Sequence, residues 1–249
     1  MRVIILCAGI SERMRPETYD TNKNLIDING KALIEHLLDA FIYSGVDIET
    51  VHIIIGHYGY KFRKLLGSNY RGLKIRFHNN SLHKITGAAQ SLYMAINVLK
   101  EHPCTVLEGD HYLDPELLKK LLLSKYENCL LVDDDKSKLT FGEETLAYGS
   151  EGTLDALHWP ARKFHSYPDS LLIGEALTIF KLSKQASNSL ATVLETYLSS
   201  PGPAKREIIE PINMLRNLQD IQYITTEGRP WIEIDFPADL EKAREMKFD

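Results

Sequence analysis

The 249-residue chain has little of several features that define large classes of protein. It has three cysteines, Cys7, Cys104 and Cys129, which lie far apart and form no Cys-x-x-Cys pair. This spacing indicates neither a zinc site nor a dithiol redox motif, and an odd number of thiols is typical of a reducing cytoplasm. No apolar run approaches the ~20 residues that a membrane-spanning helix needs. We therefore expect a cytoplasmic protein with no membrane partner.

Neither positive nor negative charge is in large excess. The formal net charge is -5, with 25% charged and 44% hydrophobic residues, as in an ordinary globular protein. This balance provides no basic field for nucleic acid, which we exclude as an expected partner. A nucleotide substrate needs only a few local cations. The chain also lacks internal repeats, low-complexity tracts and long linkers, so we expect a single domain.

Apolar runs alternate with helical stripes through the first half. The run from Val3 to Ile10 is predicted to be a strand rather than a leader peptide, because Glu12 and Arg13 follow it at once. This alternation of strand and helix predicts a mostly parallel, doubly wound α/β sheet. The predicted strands are residues 2–7, 51–55, 73–77 and 105–107, and the predicted helices are residues 31–43, 88–99 and 115–124.

The pattern changes after residue 127, where strands have few helices between them. We expect a smaller mixed-sheet lobe that binds a second substrate. Residues 1–127 and 220–249 would form the nucleotide-binding core, and residues 128–219 the acceptor lobe. Pro211 is expected to break or kink a helix at 206–218. The other predicted strands are 129–132, 153–158, 171–180, 221–225 and 231–234, and the other predicted helices are 186–198 and 237–246.

The first strand opens into a short loop that contains Gly9 and Ser11, followed by the cations Arg13 and Lys23. A strand that ends in a loop of small residues presents backbone N–H groups to phosphates. Two fixed cations just beyond it suit a triphosphate whose pyrophosphate must leave. The loop matches neither the P-loop pattern nor the dinucleotide pattern Gly-x-Gly-x-x-Gly.

Asp110 follows the predicted strand at 105–107, within Glu-Gly-Asp. Ligands of open α/β sheets collect at the carboxyl ends of the strands. A carboxylate at this edge is suited to hold Mg²⁺ against a phosphate.

These segments together resemble the sugar-phosphate and alcohol-phosphate nucleotidyltransferases. The chain reads Leu-Cys-Ala-Gly-Ile-Ser-Glu-Arg-Met-Arg-Pro from residue 6, where the family has roughly Leu-Ala-Ala-Gly-x-Gly-x-Arg-Met/Leu-x-Pro. Lys23 and Leu25 match the following Pro-Lys-x-Leu. The chain departs at Cys7, Ser11 and Asn22, where the family has alanine, glycine and proline. We expect the loss of that proline to make the loop less stiff.

The resemblance implies a Rossmann-like sheet of the nucleotidyltransferase or GT-A type and a role for each matched residue. Arg13 and the loop would hold the leaving pyrophosphate, and Lys23 would stabilise the α-phosphate. Asp110 and Asp235 would hold Mg²⁺, with Glu233 a weaker candidate. The implied nucleotide-binding residues are Leu6, Ala8, Gly9, Ile10, Ser11, Glu12, Asn79, Thr86, Gly87, Ala88 and Ser91.

Two of these assignments have structural alternatives. Asp235 precedes Pro237 and could instead cap the last helix. The small residues Gly87 and Ala88 could serve close packing of a helix on the sheet rather than a nucleobase. Asn79, with its neighbour Asn80, could read base edges through amide donors and acceptors.

The acceptor site is weakly specified. Its candidates are His111, Trp159, Lys163 and Glu175, with Tyr148 as a further lining residue. The run Asp133-Asp134-Asp135 resembles the Asp-x-Asp metal motif of glycosyltransferases. A solvated acidic turn is the preferred interpretation of that run.

Within the family, the nearest resemblance is to small cytidylyltransferases acting on phosphocholine, inositol phosphate or phosphonates. The segment Lys-Asn-Leu-Ile-Asp-Ile-Asn-Gly from Lys23 is similar to their Lys-Ser-Leu-Leu-Asp-Ile-x-Gly. The expected substrates are CTP and a small phospho- or phosphono-acceptor. Alternatives are a sugar-1-phosphate uridylyl- or thymidylyltransferase, a glycosyltransferase, and a non-catalytic nucleotide sensor. The sequence specifies neither the acceptor nor the oligomeric state.

Overall fold

Strands from nearly the whole chain build one large mixed sheet. The computed structural model describes residues 1–140, 142–160 and 171–248. Within them the strands are β1 Arg2–Cys7, β2 Asp27–Ile28, β3 Lys31–Ala32, β4 Thr50–Ile55, β5 Asn69–Tyr70, β6 Leu73–Asn79, β7 Cys104–Glu108, β8 His111–Leu113, β9 Cys129–Asp133, β10 Leu146–Ser150, β11 Thr153–His158, β12 Leu172–Leu182, β13 Gln222–Thr225 and β14 Trp231–Glu233.

Helices connect these strands. They are α1 Leu33–Tyr43, α2 Gly59–Leu66, α3 Ala88–Tyr93, α4 Ile96–Glu101, α5 Pro115–Leu123, α6 Lys184–Ser199, α7 Ile209–Arg216 and α8 Pro237–Glu245. None of the helices in the described ranges is long and apolar enough to cross a bilayer.

The order of the large sheet is β10-β11-β13-β9-β12-β7-β1-β4-β6-β5. β1 pairs in parallel with β4 and β7, and β4 pairs in parallel with β6. β12 then runs antiparallel between β7 and β9, so the second half of the sheet is mixed. The predicted fold class, a doubly wound sheet with a mixed extension, is confirmed. β13, from the segment that the sequence grouped with the core, pairs in parallel with β9.

Side chains of β1 alternate between two apolar cores, one on each face of the sheet. Ile4 and Leu6 pack in the core that includes α3, α4, α6 and α7. Val3 and Ile5 pack in the core that includes α1, α2 and α5. Helices on both faces explain why the parallel strands are continuously apolar.

Two helix predictions were wrong. The predicted helix at 88–99 is divided into α3 and α4, because Ala95 has φ −107° and ψ 21°, outside the helical region. In place of the predicted helix at 206–218 the structure has the shorter α7, Ile209–Arg216, with Pro211 in its first turn. A proline there removes no intrahelical hydrogen bond, so it causes no break. The sequence analysis also missed β10.

Candidate active site

Two adjoining cavities open beside the carboxyl ends of β1 and β7. The first, of about 380 Å³, is bordered by the loop after β1 and the start of α3. The second, of about 180 Å³, reaches toward β12 and α7. Side chains on the wall between them contact both spaces, which is the arrangement that a transfer between two substrates requires. The shared lining residues are Arg13, Lys23, Glu108, Asp110, Glu207 and Asp235.

The loop after β1 keeps its turn although a serine replaces the expected glycine. Ser11 has φ 58° and ψ 46°, in the left-handed region that glycine adopts most readily. The Thr18 hydroxyl donates a hydrogen bond of 2.8 Å to the Ser11 carbonyl, and the Met14 N–H donates to the same oxygen at 3.2 Å. These contacts hold the serine in a conformation that is costly for a residue with a side chain.

Asn22 fastens this loop to the turn that carries Lys23. Its buried amide nitrogen donates to the carbonyls of Cys7 at 3.1 Å and Gly9 at 3.0 Å. Its amide oxygen accepts from the Asn24 N–H at 3.0 Å. Asn22 therefore fastens the loop with hydrogen bonds at the position where the family has proline.

The ammonium of Lys23 lies between two carboxylates from distant parts of the chain. Its Nζ is 2.7 Å from Asp110 Oδ2 and 2.8 Å from Asp235 Oδ1. Burial would lower the pKa of Lys23, but the negative charges of Asp110 and Asp235 raise it above that of an ordinary lysine. Lys23 is therefore a fixed cation at neutral pH.

The ladder between β8 and β14 brings the two aspartates together. In this ladder Glu233 pairs with His111, and the Ile234 N–H donates to the Asp110 carbonyl at 2.9 Å. Asp110 and Asp235 thus leave neighbouring strand ends.

Asp235 does not cap the last helix. The carboxylate of Asp239 accepts the N–H groups of Asp235 at 3.2 Å and Phe236 at 2.9 Å. The Asp235 carboxylate instead binds Lys23 and, at 2.6 Å, the guanidinium of Arg13. Asp239 therefore makes the contacts at the start of the last helix. The Asp235 side chain faces the two cations.

Three carboxyl groups could hold a divalent cation. Oxygen atoms of Glu108, Asp110 and Glu233 lie within 4.8 Å of one another. Asp110 Oδ1 is buried and has no hydrogen-bond partner among the described residues, with His111 Nδ1 3.5 Å away. Burial raises the pKa of Glu108 to about 8, and repulsion from Asp110 adds to the shift. A buried orphan oxygen within a set of hard oxygen donors fits Mg²⁺.

The expected base reader Asn79 is exposed and lines neither cavity, whereas its neighbour Asn80 is buried. The Asn80 amide donates to Thr86 Oγ1 at 3.2 Å and Ser91 Oγ at 3.1 Å, and accepts from the Leu82 N–H at 3.0 Å. Asn80 therefore organises the turn before α3. Thr86 and Ser91, which it holds, line the first cavity.

Gly87 is in close contact with the segment before α7. A Cβ at Gly87 would lie 2.4 Å from the Arg206 carbonyl oxygen. The Ala89 N–H donates to that same oxygen at 3.0 Å. Packing thus requires a glycine at this position. Lys205 and Glu207, on either side of Arg206, line the first cavity. They could not be identified from the sequence because no motif marks this segment.

The first cavity collects all the other nucleotide-binding candidates: Leu6, Ala8, Gly9, Ile10, Ser11, Glu12, Thr86, Gly87, Ala88 and Ser91. Further lining residues that the sequence analysis missed are His83, Glu143, Thr145 and Thr178. Glu108 was also missed, although its place two residues before Asp110 is a usable signal.

The acceptor candidates divide. Trp159 lines the second cavity, whereas Glu175 lines neither cavity. His111 and Tyr148, each 1% exposed, are packed inside and cannot form a cavity wall, which corrects their assignment. Lys163 lies outside the described residues.

The run 133–135 does not form a free metal motif. Asp133 is buried, contrary to the expectation of a solvated turn. Its carboxylate accepts from Trp231 Nε1 at 2.8 Å, Lys138 Nζ at 2.9 Å and Thr226 Oγ1 at 3.1 Å. These contacts occupy the oxygen atoms that a cation would need.

Replacing Asn22 with alanine removes the hydrogen bonds that hold the loop. We expect a loss of about 1–3 kcal/mol in unfolding free energy, because buried carbonyls lose their donors. Affinity for the triphosphate that the resemblance implies should fall roughly tenfold. Asn188→Ala, on the exposed face of α6, is the matched control. Denaturant unfolding and calorimetric titration measure both quantities, and unchanged triphosphate affinity would contradict the role of Asn22.

Alanine should lower the stability of the fold at Gly87 but not at Gly9. A Cβ at Gly9 meets no atom within 4 Å, so Gly9→Ala should change stability by less than about 0.5 kcal/mol. It should nevertheless weaken triphosphate binding, because the methyl group fills the loop. Gly87→Ala should cost about 1–3 kcal/mol through overpacking against Arg206. Equal stability of the two variants would refute this distinction.

The chain is similar in sequence to several known proteins. Over 121 residues the chain is 28% identical to CMP-5'-(3-aminopropyl)phosphonate synthase of Streptomyces rubellomurinus, covering 49% of this chain and 19% of that protein. Over 50 residues it is 42% identical to N-acetylmuramate alpha-1-phosphate uridylyltransferase of Caulobacter vibrioides, covering 20% of this chain and 21% of that protein. The chain spans about half the length of other curated relatives.

The fold is shared with solved structures. CTP:phosphocholine cytidylyltransferase from Streptococcus pneumoniae superposes with a TM-score of 0.72 and 21% identity, covering 98% of this chain and 97% of that one. The MobA-like NTP transferase domain matches residues 3–180. The chain therefore belongs to the family of proteins with a MobA-like NTP transferase domain.

Proposed function

We propose that this protein is a nucleotidyltransferase that joins CMP from CTP to a small phosphate or phosphonate and releases pyrophosphate. The observation that carries the proposal is the position of Lys23. Its ammonium lies between Asp110 and Asp235 on the wall that separates the two cavities. A fixed positive charge at this boundary is where the α-phosphate of one substrate would meet the nucleophile of the other.

In this mechanism the triphosphate occupies the first cavity. The loop from Gly9 to Ser11 donates N–H groups to the β- and γ-phosphates, and Arg13 neutralises the same groups. An acceptor oxygen attacks the α-phosphorus in line. The bond from that phosphorus to the bridging oxygen breaks, and pyrophosphate leaves with the electron pair. Lys23 stabilises the charge on the α-phosphate, and such preorganised electrostatic stabilisation is the main contribution in phosphoryl-type transfer.

The residues that would hold Mg²⁺ are Asp110 and Asp235, and Asp110 also lies in the carboxyl cluster with Glu108 and Glu233. When bound, the cation supplies further neutralisation of phosphate charge. Arg13 and Lys23 already hold the Asp235 carboxylate in place, at 2.6 Å and 2.8 Å. These contacts engage both oxygens of Asp235, so Mg²⁺ at this residue would have to displace Lys23 or Arg13 from one of them.

The second cavity favours an acceptor that carries a positive charge. Its lining has an acidic part formed by Glu207 and Glu143, next to Trp159, and Glu143 lies 3.9 Å from Arg13. Carboxylates attract an ammonium group, and an indole face adds about 0.5–2 kcal/mol for a cation. An acceptor of this type would place its phosphate against Lys23 and its amine in the acidic part. The relatives named for aminopropylphosphonate and phosphocholine support this class of acceptor.

We propose that two parts of the chain bind the two substrates. Residues 1–127 and 220–249 would form the nucleotide-binding core, and residues 128–219 the acceptor lobe. The first cavity is lined largely by residues 6–14 and 83–110, and the second takes Thr145, Trp159 and Thr178 from the lobe. Lys205 and Glu207 extend from the lobe into the nucleotide cavity, so the two parts cooperate in one site.

A second candidate is a sugar-1-phosphate uridylyltransferase or thymidylyltransferase. The 42% identity to N-acetylmuramate alpha-1-phosphate uridylyltransferase, over 50 residues, favours it. The same core would perform the same chemistry with another base and acceptor. The acidic second cavity favours the amine-bearing acceptor over a sugar.

Pyrophosphate release with Mg²⁺ tests the proposal. CTP, UTP, dTTP, GTP and ATP should each be combined with phosphocholine, 2-aminoethylphosphonate, inositol phosphate and hexose 1-phosphates. We expect turnover with CTP and an amine-bearing acceptor. Turnover restricted to UTP or dTTP with a sugar phosphate would identify the second candidate. No turnover in any combination would contradict both.

Glu207→Gln tests the acidic part of the acceptor cavity. Burial and repulsion from Glu210 raise the pKa of Glu207, and a nearby ammonium would favour its charged form. Glutamine keeps an oxygen that can accept from the Ala88 N–H but removes the charge. We expect the KM of an amine-bearing acceptor to rise about tenfold, with the KM of CTP changed less than about twofold.

Glu241→Gln, exposed on α8, is the control for that variant. Ethylphosphonate, which has no amine, should show no difference between the wild type and Glu207→Gln. An equal rise in KM for ethylphosphonate and for 2-aminoethylphosphonate would contradict charge recognition by Glu207.

A further inference from the structure

Thr178 has a backbone conformation that is unusual for its residue type. It lies within β12 and has φ 51°, in the left-handed region. A β-branched side chain is a genuine outlier there, whereas glycine adopts this region at little cost. Strain of this kind persists where the surrounding structure imposes it, and it concentrates at functional sites.

The strain coincides with a bulge in the sheet. Ala176 of β12 pairs with Val132 of β9, and the next pair along the ladder is Phe180 with Leu130. Three residues of β12 therefore oppose one residue of β9. Bulges re-aim side chains and are common beside active sites.

The bulge directs the Thr178 hydroxyl to a group on the shared wall. Thr178 is 7% exposed and lines the second cavity. Its Oγ1 donates a hydrogen bond of 3.2 Å to Glu108 Oε2. Glu108 ends β7 and borders both cavities. Glycine would fit this backbone better, so what threonine adds is the hydroxyl.

We propose that Thr178 is a positioning residue that determines acceptor specificity. Its hydroxyl holds the Glu108 carboxyl at the boundary of the two cavities, where that carboxyl accepts a hydrogen bond from an ammonium or hydroxyl group of the acceptor. The inference rests on the proposed function and adds to it a second recognition point, separate from Glu207. It also explains why the chain keeps a strained residue in a central strand.

Three substitutions separate this role from simple packing. Thr178→Gly relieves the strain and removes the hydroxyl. Thr178→Val keeps the shape and the strain but cannot donate. Thr178→Ser keeps the donor. Glu151, exposed in the turn after β10 with φ 50°, provides the matched control, because Glu151→Gly relieves similar strain at a residue that lines neither cavity.

We expect Thr178→Gly to unfold about 2–4 °C above the wild type and to lose about 10–100-fold in kcat/KM for the acceptor. The KM of CTP should change less than about twofold. Thr178→Val should show the same loss of activity without the gain in stability. Thr178→Ser should retain acceptor kcat/KM within about threefold. Glu151→Gly should gain stability and keep full activity.

Wild-type acceptor kcat/KM in Thr178→Gly, or an equal loss in Thr178→Ser and Thr178→Val, would overturn the inference alone. Absence of turnover by the wild-type chain across the whole substrate panel would overturn the proposed function, and this inference with it.

Discussion

The partly buried ammonium of Lys23 needs two counter-charges, and the arrangement of the site follows from that need. Asp110 comes from the middle of the chain and Asp235 from near residue 249, so neither contact is local. The β8–β14 ladder delivers both aspartates to one point, and Asp239 caps α8 so that Asp235 remains available. An uncompensated charge in this position would be strongly destabilising, so the three groups depend on one another.

Residues that depart from the family pattern keep the geometry by other means. Ser11 takes the left-handed conformation that a glycine would adopt, and Asn22 forms hydrogen bonds at the position where the family has proline. Thr178 is also held in a left-handed conformation, and its hydroxyl contacts Glu108. Each of these three residues places a polar group next to the loop or the shared wall.

The sheet and the meeting of Lys23 with Asp110 could be predicted because their signals are local. An apolar strand, a loop of small residues and a nearby lysine are adjacent in sequence, and Asp110 directly follows a strand. The acceptor side could not be predicted in this way. Glu207 precedes a helix whose start was misplaced, and Thr178 reaches the cavity only through a bulge. His111 was assigned to a cavity wall because sequence does not show that the β8–β14 ladder buries it.

The proposed transfer depends on the Lys23 ammonium and the Asp110 carboxylate. The most direct test is the rate of pyrophosphate release by Lys23→Ala and Asp110→Ala at saturating Mg²⁺. Lys64→Ala, exposed on α2, is the control, and thermal unfolding verifies that each variant is folded. We predict a fall of roughly 10²–10³-fold in both site variants and no change in the control. Near-wild-type turnover in both would contradict the account.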